Sequence, residues 1–255
     1  MHVELWDALD LGADAAHTPS VVAIVGGGGK TSVLYQLGRE AEQRGQRAIL
    51  AGTARFTPAP ASRMPPIVRG DQSRIIGAIE NALRTSPVIV AAPHDESKGR
   101  LSTLSVETVD ACAAIDGLGL IALEADGSKM LPFKAPGENE PVVPASATHV
   151  VSIVGTDAID APLDADHVHR PERIRAIVGA DAATCTIDVL ARVLASTSGG
   201  RKHVGDRAYA VLVNKCELAP QRATELGQAL REAGVPRVIL ASLHDAEHPV
   251  RELLV

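Results

Sequence analysis

Residues Val21–Ser32 read VVAIVGGGGKTS, in which an apolar run meets four glycines followed by lysine, threonine and serine. A phosphate-binding loop has the pattern G-x-x-x-x-G-K-[ST] between a strand and a helix. Gly29, Lys30 and Thr31 fit the end of that pattern, but Ile24 stands where its first glycine belongs. The stretch is therefore either a phosphate-binding loop with an altered start or a glycine turn that resembles one.

The segments on both sides of the glycines favour the first reading. Val21–Val25 is a short β-branched run typical of a buried parallel strand. Apolar residues then recur at helical spacing from Val33 to Ala41, and Gly45 follows as a helix C-cap. Glycines let backbone N–H groups approach phosphate oxygens, and the helix adds its positive N-terminal end. We expect Ile24 to stay in the sheet.

The loop assigns roles to each of its residues. Lys30 would place a point charge on the β- and γ-phosphates and act in catalysis, and the Thr31 hydroxyl would hold Mg²⁺. The predicted nucleotide-binding residues of the loop are Gly26, Gly27, Gly28, Gly29, Lys30, Thr31 and Ser32.

Apolar strands alternate with helical segments along the whole chain. The further predicted strands are Arg47–Ala51, Val88–Ala92, Leu118–Leu123, His149–Val154, Ala208–Val213 and Val238–Leu240. The further predicted helices are Asp71–Arg84, Val106–Ile115, Pro171–Val178, Thr186–Ala195 and Leu218–Ala233. This alternation predicts an α/β fold with a doubly wound, mostly parallel sheet, and residues 1–255 are expected to form one domain. Ligands of such sheets bind at the carboxyl ends of the strands.

Composition excludes several classes of partner. Aromatic residues make only 2% of the 255 residues and the formal net charge is −6, which argues against a nucleic-acid-binding surface. No apolar run approaches the length of about 18 residues that a membrane span needs. The N-terminus lacks the basic and apolar regions of a signal peptide. We therefore expect a cytoplasmic protein that binds neither nucleic acid nor membrane.

Two carboxylates follow the predicted strand Leu118–Leu123, in the sequence LEADGSK. An acidic residue at the end of an apolar strand is where phosphate-binding-loop proteins hold Mg²⁺ or its waters. Glu124 and Asp126 are therefore predicted as metal-binding and catalytic residues, and either of them could hold the metal. The alternative is a solvated strand end.

Another strand, Ala208–Val213, is followed by NKCE, which is close to the base-recognition motif N-K-x-D of GTP-binding proteins. Asn214 and Lys215 are predicted to flank the nucleotide base, and Glu217 stands where GTP-binding proteins have the aspartate that selects guanine. Glutamate is one methylene longer, so ATP and GTP both stay open.

Basic and polar residues beside these segments are candidates for substrate binding. They are Gly127, Ser128, Lys129, Lys134, His169 and Arg170. Pro171 suits the first turn of a helix, so the histidine and arginine before it could equally be a charged helix entry. The polar loop Pro93–Arg100 and the tail His244–His248 are interpreted as solvated segments.

Together, IVGGGGKT, LEADGSKMLPFKAPGENEPVVP, HRPE and LVNK resemble the YqeC-type family of selenium-dependent hydroxylase accessory proteins, also called selenium cofactor biosynthesis proteins. The resemblance covers about Val21 to Leu240. It implies a P-loop NTPase-like fold of three layers, of the SIMIBI type. It also implies a role in maturing selenium-dependent molybdenum hydroxylases, with such a hydroxylase or its cofactor as the partner.

Three functions are consistent with these residues. The first is Mg²⁺-dependent hydrolysis of ATP or GTP, coupled to assembly of the selenium- or molybdenum-containing cofactor. The second is a nucleotide-gated insertion chaperone with little turnover. The third is a small-molecule ligase or kinase of the dethiobiotin-synthetase type.

Overall fold

The computed structural model of the chain describes residues 3–12, 18–72, 74–96 and 99–255. Its strands are β1 (Ser20–Gly26), β2 (Arg47–Gly52), β3 (Ile67–Val68), β4 (Val88–Ala91), β5 (Asp95–Glu96), β6 (Arg100–Leu101), β7 (Leu118–Glu124), β8 (His149–Gly155), β9 (Ala208–Asn214), β10 (Val238–Ala241) and β11 (Val250–Leu254). Its helices are α1 (Leu5–Ala8), α2 (Lys30–Gln43), α3 (Ile75–Ala82), α4 (Val106–Cys112), α5 (Pro171–Val178), α6 (Ile187–Ala195) and α7 (Pro220–Glu232).

Nine strands form one sheet in the order β11-β10-β9-β8-β1-β7-β2-β4-β3, and β5 pairs with β6 in a separate hairpin. Within the described sheet every neighbouring pair is parallel except β10 with β11. The prediction of an α/β fold with a mostly parallel sheet is confirmed. None of the helices in the described ranges is long and apolar enough to cross a membrane.

Helices cover both faces of the sheet because the strand residues alternate between two apolar surfaces. On β1, Val22 and Ile24 join a cluster with α1 and α2, whereas Ala23 and Val25 join one with α5, α6 and α7. A third cluster packs α3 and α4 against the half of the sheet that holds β2 and β4. The strands are therefore buried on both faces, as continuous apolar runs predict.

The central strands bring four polar or glycine residues to one edge of the sheet. Ile24 is paired with Glu124 in β7, and Gly26 is paired with Ile153 in β8. Farther along, Gly155 is paired with Asn214 at the end of β9. This parallel register places the ends of β1, β7, β8 and β9 side by side, as expected for a ligand site.

The C-terminal end contains a strand that was not predicted. Residues 250–254 form β11, an edge strand antiparallel to β10, beyond Val238–Leu240, the final strand of the prediction. The strand has two exposed charged residues, Arg251 and Glu252, which hide its apolar pattern. The predicted polar loop at 93–100 contains part of the β5–β6 hairpin, and its residues 97 and 98 lie outside the described residues.

Candidate functional site

The glycine loop begins where β1 ends, and Ile24 belongs to the sheet. Ile24 is fully buried against α2, so the loop needs no glycine at that position. The Gly26 N–H donates to both carboxylate oxygens of Asp126, at 3.2 and 3.1 Å. The Gly27 N–H donates to the Ile153 carbonyl at 3.0 Å. The first two N–H groups of the loop are thus used inside the protein.

The next two glycines form the open part of the loop. Gly28 and Gly29 are partly exposed, and among the described residues no group accepts a hydrogen bond from either N–H. Their φ angles are 84° and 143°, in the region that favours glycine. A Cβ on Gly28 would lie 2.5 Å from the Gly155 nitrogen, and one on Gly29 would lie 2.3 Å from Asn214 Nδ2. Both positions require glycine for two independent reasons.

The loop leads directly into helix α2, whose first residue is Lys30. Thr31 is half-buried and Ser32 is exposed in the first turn. The free N–H groups of a helix N-terminus carry a partial positive charge, and this one continues the row of N–H groups from Gly28 and Gly29. Such a row of free N–H groups is typical of sites that bind anions with several oxygens.

The Lys30 ammonium is buried and contacts groups of the protein. Its Nζ donates to the Gly26 carbonyl at 2.6 Å and is 3.3 Å from Asp126 Oδ1. Only 5% of Lys30 is exposed. The predicted phosphate-binding lysine is therefore at the loop, with its charge balanced by a carboxylate of the protein.

Thr31 and Glu124 contact each other directly. The Thr31 hydroxyl donates to Glu124 Oε1. Burial raises the pKa of Glu124, and the nearby Lys30 charge and the Thr31 hydrogen bond act against that rise. The structure therefore brings Thr31 together with one of the two carboxylates predicted to hold Mg²⁺, and their metal binding stays a prediction.

Asp126 contacts a different set of groups from Glu124. Besides the Gly26 N–H and Lys30, its Oδ2 lies 3.0 Å from Lys134 Nζ. Asp126 is 2% exposed, and the Lys134 side chain is 1% exposed. The carboxylate is thus fully used by internal cations and an N–H group, and its predicted role as a metal ligand stays a prediction.

Glu140 connects this group to the segment before α5. Its Oε2 accepts from Lys134 Nζ at 2.6 Å and from Arg170 Nη1 at 2.6 Å, and its Oε1 accepts from Arg170 Nη2 at 3.0 Å. Burial opposes ionisation, but these hydrogen bonds outweigh it and lower the pKa of Glu140 to about 2. Lys134 and Arg170 are therefore held by the protein.

The other predicted substrate-binding residues lie in two segments, three of them shortly after β7 and His169 just before α5. The Gly127 carbonyl accepts from Lys134 Nζ at 2.7 Å, and Ser128 is buried. Lys129 is exposed at a turn with a φ of 52°. His169 is held by its N–H to the Phe133 carbonyl at 3.0 Å. Burial, with the charges of Arg170, Lys134 and Lys129, lowers the pKa of His169 to about 4.

The predicted base-binding segment has mixed contacts. Asn214 Nδ2 donates to the Gly28 carbonyl at 2.8 Å, and its Oδ1 accepts from the Leu243 N–H at 3.1 Å. Lys215 Nζ pairs with Asp157 at 2.6 Å. Glu217 pairs with His244 at 3.1 Å, and no described hydrogen bond or ion pair joins it to the glycine loop. Asn214 therefore fastens the loop to the end of β10, and base contact stays a prediction.

Sequence reasoning missed Glu140 and Asp157. Glu140 lies in the segment GENEP, where the sequence shows an acidic residue before a proline but not its partners. Asp157 follows β8 in a short helical turn and carries no pattern of its own. Ion-pair partners depend on the tertiary fold, which single positions do not encode.

A sequence model of one protein family, described as YqeC protein, matches residues 22–172, more than half of the chain. This chain belongs to the YqeC family. The Escherichia coli (strain K12) protein described as "Uncharacterized protein YqeC" is 30% identical over 247 residues, which are 94% of this chain and 93% of that protein. The matched YqeC region contains the glycine loop, both carboxylates and Glu140, whereas Asn214 lies outside it.

Two solved structures resemble the fold more distantly. The MinD cell division protein of Aquifex aeolicus has a TM-score of 0.40 and 14% identity, covering 90% of this chain and 86% of that chain. Chloroplast FtsY from Physcomitrella patens has a TM-score of 0.40 and 12% identity, covering 92% and 62%. At these levels neither likeness bears on the function of this YqeC-family chain.

Proposed function

We propose that this chain binds ATP or GTP with Mg²⁺ at the glycine loop and hydrolyses the nucleotide. The observation that carries the proposal is the row of N–H groups from Gly28 and Gly29 into the first turn of α2. Among the described residues, no group accepts a hydrogen bond from the N–H of Gly28 or of Gly29. Backbone N–H groups at a helix N-terminus are the general means by which proteins bind phosphates.

The residues present also fit the magnesium ion. Mg²⁺ is held by one or two carboxylates together with phosphate oxygens and waters, so it needs few protein ligands. Thr31 supplies a hydroxyl from the first turn of α2, and Glu124 supplies a carboxylate from the end of β7. Among the described residues there is no group of three or more histidine, cysteine, aspartate or glutamate side chains that could hold a metal. This agrees with an ion that binds together with the nucleotide.

Each residue then has a definite task. Bound Mg²⁺ would neutralise charge on the phosphate oxygens. Lys30 supplies a second positive charge once its ammonium turns towards the phosphates. The buried Glu124 accepts the Thr31 hydroxyl and fixes its orientation. Gly28 and Gly29 hold the phosphates without moving, because their N–H groups are positioned by the packed loop.

The resemblance to selenium-dependent hydroxylase accessory proteins suggests what the hydrolysis serves. We propose that it assists maturation of the selenium- or molybdenum-containing cofactor of a molybdenum hydroxylase in the cytoplasm. A nucleotide-gated insertion chaperone is the second candidate. It is favoured by the internal pairing of Lys30 with Asp126, which keeps the lysine away from the loop mouth.

Phosphate release from ATP and from GTP tests the proposal. The purified chain should release phosphate with Mg²⁺ present and stop when Mg²⁺ is chelated. Thr31→Ala should bind nucleotide but lose the Mg²⁺-dependent phosphate release. Thr85→Ala is the matched control, because Thr85 is an exposed threonine in the turn after α3. No release in any condition, with tight binding retained, would favour the chaperone. No binding at all would remove both functions.

A further inference from the structure

The Asp126 carboxylate occupies a position that resembles that of a bound anion. It accepts from one loop N–H group, that of Gly26, and lies within 3.3 Å of Lys30 Nζ and 3.0 Å of Lys134 Nζ. An N–H group of the loop and two ammonium groups are the donors that a phosphate oxygen would use. The protein therefore contains its own anion beside the loop.

Burial strengthens the ion pair between Lys30 and Asp126. Asp126 is 2% exposed and Lys30 is 5% exposed, so little water competes with their attraction. The Lys30 ammonium donates to the Gly26 carbonyl at 2.6 Å and forms an ion pair with Asp126 Oδ1 at 3.3 Å. A phosphate at the open N–H groups of Gly28 and Gly29 would compete with Asp126 for this ammonium.

The negative charge of Asp126 stays compensated when Lys30 moves away. Lys134 remains against its Oδ2, and the Gly26 N–H remains against both oxygens. Lys134 is itself held by Glu140, which Arg170 holds in turn. Removing Lys30 from this group thus leaves no unpaired buried charge, which keeps the cost of its movement low.

We propose that Asp126 is an internal competitor for Lys30, so that a phosphate-bearing ligand binds only by taking the lysine from this carboxylate. The inference rests on the proposed nucleotide site and gives Asp126 a regulatory role in place of metal binding. The carboxylate lowers the affinity of the site for every phosphate ligand. It also holds Lys30 in a defined resting position when no ligand is present.

The test is calorimetric titration of the full chain with ATP and with GTP, each with and without Mg²⁺. Asp126→Asn keeps the shape and an oxygen acceptor but removes the charge. The variant should bind about tenfold tighter with and without Mg²⁺, the change expected when one charged hydrogen bond no longer competes. Asp160→Asn is the matched control. Asp160 is exposed, and among the described residues its side chain forms an ion pair with Arg222 alone.

The outcomes separate this inference from the proposed function. Unchanged affinity in Asp126→Asn, or weaker binding only when Mg²⁺ is present, would overturn the competitor role, and the latter would make Asp126 a metal ligand. Binding by neither wild type nor variant would remove the proposed function itself. Asp126→Ser serves as the second variant if the asparagine does not fold, and the same tightening is expected of it.

Discussion

Replacing Asn214 with alanine should weaken both the fold and the phosphate site. Its amide joins two segments that the sheet alone does not connect, since Nδ2 donates to the Gly28 carbonyl and Oδ1 accepts from the Leu243 N–H. Asn214 is 4% exposed, so water does not readily replace either bond. The alanine removes the partner of the Leu243 N–H in a buried hydrogen bond and of the Gly28 carbonyl in a part-buried one.

The magnitude follows from these two groups. A buried polar group that loses its partner costs about 1–3 kcal/mol, so the two together should lower the free energy of unfolding by about 3 kcal/mol. Urea denaturation followed by circular dichroism measures this difference. Nucleotide affinity measured on the folded variant should fall as well, because the loop loses the hydrogen bond that holds its Gly28 carbonyl.

A matched variant separates the bond from the residue type. Asn81→Ala removes an exposed asparagine at the end of α3 and should change stability by less than about 0.5 kcal/mol. If Asn214→Ala were as stable as Asn81→Ala, the amide would not fasten the loop and the reasoning about this site would be wrong.

Further predictions concern the loop and the ion pairs. Gly28→Ala should abolish nucleotide binding in calorimetry, because its Cβ would meet the Gly155 nitrogen. Gly45 is also at positive φ, but a Cβ there would meet no atom within 4 Å, so Gly45→Ala should keep binding and lose only about 1 kcal/mol of stability. Glu140 has a pKa lowered to about 2, so its stabilisation is complete above about pH 4.5 and is lost as the pH falls towards 2. Denaturation curves of Glu140→Gln should therefore change less with pH in that window than those of wild type. The pKa of His169, lowered to about 4, predicts a neutral imidazole at pH 6 in NMR titration; a midpoint near 6.5 would contradict the cationic surroundings assigned to it.

The fold and the glycine loop could be predicted from local sequence patterns. The apolar run Val21–Val25 and the helical spacing from Val33 to Ala41 each depend on neighbouring residues, and both elements appear as expected. The position of Ile24 in the sheet was also predictable, since an apolar β-branched residue extends a strand more readily than it makes a turn.

Contacts across long stretches of chain were not predictable from such patterns. Glu140 and Arg170 are 30 residues apart, and the Asn214 amide reaches a carbonyl 186 residues away. Strand β11 was missed because an edge strand with exposed Arg251 and Glu252 is stabilised by pairing with β10 and not by its own sequence. In each case the sequence shows which residue type stands at a position, but the groups it contacts follow from the tertiary fold.

The proposed phosphate site is tested most directly by a calorimetric titration of wild type and Lys30→Ala with ATP and with GTP, in the presence of Mg²⁺. We expect saturable binding of at least one nucleotide by wild type, in a ratio near one to one. Lys30→Ala should bind that nucleotide at least about tenfold more weakly, because a charged hydrogen bond to phosphate is lost. Wild type that binds neither nucleotide, or Lys30→Ala that binds as tightly as wild type, would contradict a phosphate site at this glycine loop.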